Sequence, residues 1–230
     1  MKFLSLAFAA LLFSGPCFAK SSPTLDPKRT LTIVGEVGGN MIPLAQRMVE
    51  LSKTPGDIDI VISSPGGSVA AGTFFITALE LARARGSNVR CYVTGLAASM
   101  AFQIFAHCDE RYALPTAYLL WHPVRAGFFM ASFTPDQAAQ LAEDLKRTEK
   151  WATNDLISRF FEHREKYFWK HYHAETLFIA EDLAKEVPGL VDIVDDVPGA
   201  NQVIPEQSGG AKEVRRNDMP YEIFFRMHDK

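Results

Sequence analysis

Hydrophobic and polar positions along the chain switch repeatedly between two periods, and the switches divide it into strand and helix units. TLTIVGEV at residues 30–37 has the β-branched run of a buried strand. Met41 to Leu51 follows with Ile42, Leu44, Met48, Val49 and Leu51 apolar, the spacing of an amphipathic helix that stops near Thr54-Pro55-Gly56. The alternation recurs as strand Asp57 to Ile62, helix Val69 to Arg85 closed by Gly86, strand Val89 to Thr94, and helix Ser99 to His107. Short apolar runs follow at Arg111 to Leu114 and Ala117 to Trp121. Strands that alternate with helices predict an α/β fold, with parallel strands and helices packed outside.

A longer helix begins at Thr134-Pro135-Asp136-Gln137, where a capping Thr, a first-turn Pro and a Gln three positions on make a capping box. Leu141, Leu145, Trp151, Leu156, Phe160 and Phe161 supply its apolar positions. A helix running to about Arg164 would be roughly 45 Å long. That exceeds what a domain of this size covers, so part of it is predicted to project and to need a second surface. Ala180 to Glu186 then reads as a short helix and Leu190 to Val194 as a strand. From Asp195 to Lys230 the periodicity is lost, which predicts a flexible arm, although its last stretch, PYEIFFRMHDK, is apolar enough to dock on a neighbour.

The first 19 residues stand apart from this pattern. Lys2, an apolar run from Phe3 to Phe13, Gly15-Pro16 and a small Ala19 have the layout of a secretory signal peptide, and the run is too short for a membrane span. Pro16 occupies the place where a lipoprotein would want a small residue before Cys17. Cleavage after Ala19 leaves 211 of 230 residues, read as one domain over 20–194 followed by the tail over 195–230. The mature protein is therefore expected outside the cytosol, in the periplasm if the host is Gram-negative. A net charge of −3 shows no basic excess, which argues against a nucleic-acid partner.

Two cysteines, Cys91 and Cys108, remain after cleavage. Cys91 starts the strand CYVT and Cys108 ends the helix that returns from it. Strand and helix both span about 13 Å, so the two sulfurs fall at one level. They read as a disulfide pair in an oxidising compartment or as two buried small hydrophobes.

Three strand ends carry candidate chemistry. In SPGGSV, residues 64–69, Gly67 precedes a helix, where an N–H unhindered by a side chain suits negative charge; a tight turn is the plainer reading. In GLAASMAF, residues 95–102, Ser99 starts a helix as its cap or as a nucleophile with the Met100 N–H behind it. In LLWHPV, residues 119–124, His122 ends an apolar strand as a structural residue or as a base. Parallel strands bring such ends to one rim of the sheet, which favours the functional readings taken together. His171-Tyr172-His173 lacks a third ligand at metal spacing and reads as surface histidines in a polar segment, so neither a metal nor another cofactor is expected.

SPGGSV, AASM (97–100), HP (122–123) and GLVD (189–192), in this order, resemble the proteolytic subunit of the Clp protease, a family with the crotonase-like fold. The resemblance runs from about Thr30 to Asp192. It implies repeated β-β-α spiral units with a parallel sheet, and a long projecting handle helix after Thr134 that interlocks rings of a homo-oligomer. It further implies that Ser99 is the nucleophile and His122 the base. Gly67 and Met100 would supply the oxyanion hole, and an extended peptide substrate would lie beside Ser68, Val69, Val124 and Arg125.

Two departures qualify this. The family's third triad member, an Asp, falls on Thr176, with Glu175 beside it; Glu175, Thr176 or water would then orient His122. An exported chain would also lack an ATP-driven unfoldase, so the expected activity is an ATP-independent serine endopeptidase acting on peptides or unfolded segments. A Ser-Lys variant of the fold would make Lys146 or Lys150 the base instead. A catalytically silent assembly protein and an acyl-CoA-processing enzyme are the readings from other classes, the latter opposed by Ser99 and His122.

Overall fold

The computed structural model describes residues 23–127 and 132–200. The predicted signal peptide and the tail after Ala200 lie outside the described residues. Helices and strands follow the predicted alternation: β1 Thr30–Val34, α1 Met41–Leu51, β2 Gly56–Ser64, α2 Val69–Ala84, β3 Ser87–Ala98, α3 Met100–His107, β4 Glu110–Ala113 and β5 Tyr118–Leu120. They continue as α4 Pro135–Leu156, α5 Glu165–Ala174, β6 Phe178–Ile179, α6 Ala180–Glu186 and β7 Asp192–Ile193.

The strands run β1-β2-β3-β4-β7 across the sheet, every neighbouring pair parallel. Ile58, Ile60 and Ile62 of β2 and Val89, Cys91 and Val93 of β3 join the core beneath α1, α2 and α3. Period-two alternation sends Val61 and Tyr92 to the opposite face, where Leu25, Val194 and Val197 cover them. Asp59 points to that face too. It is 1% exposed and holds its register partner Arg90 in a two-pronged ion pair, Nε to Oδ1 at 2.7 Å and Nη2 to Oδ2 at 2.9 Å. On the helix side a disulfide joins Cys91 to Cys108, with Cα atoms 5.9 Å apart.

β3 outruns its predicted end at Thr94 because it changes partners part-way. Arg90 to Val93 pair with β4, whereas Leu96 to Ala98 pair with β5. The switch coincides with a register break against β2, where Ile62 faces Val93 but Ser64 faces Ala97. Gly95 sits in the break, and a methyl group there would come within 2.7 Å of the Ser63 hydroxyl.

The long helix differs from expectation in its second half. α4 has 22 residues, about 33 Å, and keeps its capping box, with Gln137 and Thr134 bonded reciprocally. Its buried residues are Ala152, Thr153 and Leu156, all near its end, so the earlier turns project. A π-helical turn over Ile157–Phe161 then replaces the predicted continuation to Arg164 and drops Phe161 into the core. The segment read as polar is also helical: in α5, Phe168 and Tyr172 are buried four residues apart, too narrow a stripe among charged neighbours to stand out in the sequence.

Candidate active site

β3 and β5 deliver two of the candidate residues side by side. Ala98 pairs with Leu120, and the next amide, Ser99 N–H, donates to the Leu120 carbonyl at 2.9 Å. His122 follows two residues after Leu120. Beneath it Trp121 anchors an aromatic cluster, its ring centroid 4.8 Å from Phe178, 5.3 Å from Phe102 and 5.4 Å from Phe161. That packing fixes the end of β5 as firmly as the sheet fixes β3.

Ser99 does not cap α3. Its backbone is held at φ 56°, ψ −123°, and its side chain makes no capping hydrogen bond. Such a conformation costs a non-glycine residue about 1–3 kcal/mol and persists only where its surroundings impose it. The SPGGS turn is part of what imposes it. Gly66, at φ 91°, presses so close that a methyl group there would lie 2.5 Å from the Ala98 carbonyl oxygen and 2.6 Å from Ser99 Cβ.

Gly67 has a different task. The Val37 N–H donates to the Gly66 carbonyl and the Ser68 N–H to the Val37 carbonyl, both at 2.8 Å. These bonds bridge Val37 and Gly67 as parallel strands, which leaves the Gly67 N–H pointing to the other side. The Met100 N–H, at the first position of α3, is one of the four that a helix leaves unpaired. Gly67, Ser99, Met100 and His122 line one cleft of about 220 Å³.

The remaining predicted residues divide. Val69, Val124 and Arg125 line the same cleft. Ser68 does not: its N–H is spent on Val37 and its hydroxyl accepts from the Ala71 N–H, capping α2. Glu175 and Thr176 are not brought onto His122. Glu175 forms an ion pair with Arg125, and the Thr176 hydroxyl bonds His171 Nδ1 at 2.9 Å. His122 Nδ1 instead lies 2.7 Å from the carbonyl of Pro123. A carbonyl only accepts, so Nδ1 carries the proton and the lone pair of the neutral ring is on Nε2. Burial pushes this imidazole below its ordinary value and Arg125 adds to that, while the Pro123 carbonyl and Glu175 oppose it. Lys146 is paired with Glu143 on the exposed side of α4.

A serine in a strained turn, two outward N–H groups and a histidine thus meet at one parallel-sheet rim. A family model described as Clp protease matches residues 18–197. The chain belongs to the Clp protease family. The ATP-dependent Clp protease proteolytic subunit 1 of Streptomyces avermitilis is 30% identical over 171 residues, covering 72% of this chain and 75% of that protein. The proteolytic subunit 2 of Rhodococcus jostii is 36% identical over 96 residues, 41% of this chain and 46% of that protein. Membership in the Clp protease family suggests a peptidase of the serine type.

Motif reading missed the side chains that shape the cleft of this family member. Gln103, Trp121, Thr148, Trp151 and Tyr172 all line it. Gln103 follows Ser99 by one helical turn, so its position on the cleft side of α3 was implicit in the spacing. Thr148, Trp151 and Tyr172 come from α4 and α5, whose fold-back onto the site no local pattern reveals. Tyr172 donates to Glu149 Oε1 at 2.7 Å and so ties the two helices together.

Proposed function

We propose that this chain is an exported, ATP-independent serine endopeptidase that cleaves peptides or flexible protein segments through an acyl-enzyme on Ser99. The observation that carries the reading is the strained Ser99 backbone, which frees the hydroxyl from capping and sets it in a cleft with His122 and two unpaired N–H groups. Ser99 Oγ attacks the scissile carbonyl while His122 Nε2 takes its proton and then passes it to the leaving amine. The Gly67 and Met100 N–H groups receive the oxyanion, each contributing on the order of 3 kcal/mol to lowering the barrier. Water then repeats the sequence and releases the acyl group. The Pro123 carbonyl does the orienting work of a carboxylate, without its charge. Arg125, steadied by Glu175, and Val124 flank the substrate strand.

Export is supported by the leader and by the disulfide, which persists in oxidising compartments. A homo-oligomer is supported by Ile42 and Phe74, each more than half exposed on α1 and α2, by the projecting α4, and by the relatives' description as subunits. The silent-assembly reading draws on one observation, that Glu175 is engaged by Arg125 and not by His122. Labelling with a fluorophosphonate separates the two readings: covalent modification of Ser99 without nucleotide supports the peptidase, and none on the intact protein supports the silent one.

A further inference from the structure

Two buried polar atoms beside Ser99 are left without partners. Gln103 Oε1 and Trp121 Nε1 are both shut off from solvent, and among the described residues neither has a hydrogen-bond partner. Their residues, 8% and 2% exposed, line the cleft that holds Ser99 and His122. One orphan is an acceptor and the other a donor. Native interiors rarely leave such atoms unmatched, so each calls for a partner that the protein's own groups do not supply.

The rest of the wall narrows the ligand chemistry. Val69, Met100 and Ala152 are apolar, the Thr148 hydroxyl is spent on the Asp144 carbonyl at 2.9 Å, and Arg125 is neutralised by Glu175. The Gln103 amide is held by a single hydrogen bond, Nε2 to the Ala152 carbonyl at 3.3 Å. Its terminal torsion is broad, so Oε1 can turn toward an incoming donor at little cost.

We propose that this wall is the subsite for the substrate side chain preceding the scissile bond, and that it selects a primary amide, glutamine or asparagine. The substrate amide NH2 donates to Gln103 Oε1, and its carbonyl oxygen accepts from Trp121 Nε1–H. A carboxylate would face Gln103 Oε1 with like polarity and no cation to spare. A lysine would bury a charge against one neutral acceptor. A leucine fits the apolar part but leaves both orphans unpaired, the situation in which hydrogen-bonding sites discriminate most strongly. The proposal rests on the peptidase reading for its place in the reaction, but the pocket is measurable without catalysis.

The test uses full-length processed Ser99→Ala protein and fluorescent product-like peptides identical except for a C-terminal Gln, Asn, Leu, Asp or Lys. The C-terminal carboxylate takes the oxyanion position and the last side chain enters the subsite. The Gln or Asn peptide is expected to bind at least about tenfold more tightly than the Leu peptide, and Gln103→Leu in the same background to bring them level or invert the order. A Leu peptide that binds as tightly as the Gln peptide, or a preference unmoved by Gln103→Leu, overturns the proposal; so does failure of every peptide to bind. Fluorophosphonate labelling of the wild type distinguishes the two layers. Labelled protein with a Leu-preferring pocket defeats the subsite alone, whereas unlabelled protein defeats the peptidase reading and leaves the peptide affinities to judge the pocket.

Discussion

In the proposed mechanism His122 acts as a base only when neutral, so activity is expected to fall as pH drops through its pKa. Burial and Arg125 hold that value below the ordinary 6.5. The acid limb of kcat/KM is accordingly expected to have its midpoint below 6.5. Arg125→Ala removes a charge that lowers the pKa and releases Glu175, which raises it; both changes move the midpoint upward. A pH profile of Arg125→Ala that is unmoved, or shifted to more acid values, contradicts this placement of His122. Linkage has the same sign: the ring's stabilising contribution is complete above 6.5 and is lost as pH falls through the lowered folded value. At this scale the convergence of Gly67, Ser99, Met100 and His122 on one cleft was legible, because each sits where a strand meets a helix or loop and parallel strands gather such ends. The contact of His122 Nδ1 was not, since it depends on the loop 123–127 turning the Pro123 carbonyl back onto the ring, which no residue type announces.

Among the elements, β2 and β3 are joined by more than their backbone ladder. Asp59 and Arg90 face each other in register, and the carboxylate is shut away from water. Removing Arg90 leaves the Asp59 carboxylate buried without its ion pair, whereas removing Asp59 leaves Arg90 a second carboxylate, Asp57, 2.9 Å from its Nη1. Arg90→Met is therefore expected to cost about 3–5 kcal/mol, a fall of about 6–20 °C in Tm. Replacing both, as Asp59→Ala with Arg90→Met, is expected to recover most of that loss, and thermal unfolding followed by circular dichroism checks both. An Arg90→Met variant as stable as the wild type would contradict the burial of this pair. The strand pattern itself was plain from alternating isoleucines, but the burial of Asp59 between Ile58 and Ile60 was not. What hides it is long-range: residues 23–29 and 194–200 fold over that face. The partner switch of β3 was hidden for a related reason, because the break at Gly95 depends on Ser63 across the sheet.

For the whole molecule, the α/β architecture and its projecting helix followed from periodicity and one capping box. The break after Leu156 did not, because the π turn is imposed by docking Phe161 beneath Trp121, a contact between distant segments. The exposed apolar residues of α1 and α2 and the mostly solvated α4 support the proposed assembly of several copies. Sedimentation velocity at micromolar concentration is expected to show an oligomer, and a pure monomer would contradict this. The central claim, a serine peptidase that needs no ATP, is tested most directly by treating the purified protein with a fluorophosphonate in nucleotide-free buffer and mapping the modified peptide. The account predicts one adduct, on Ser99, with none on Ser99→Ala and slowed labelling of His122→Ala. An assembled, folded wild-type protein that takes up no label, or takes it up on a different residue, would contradict it.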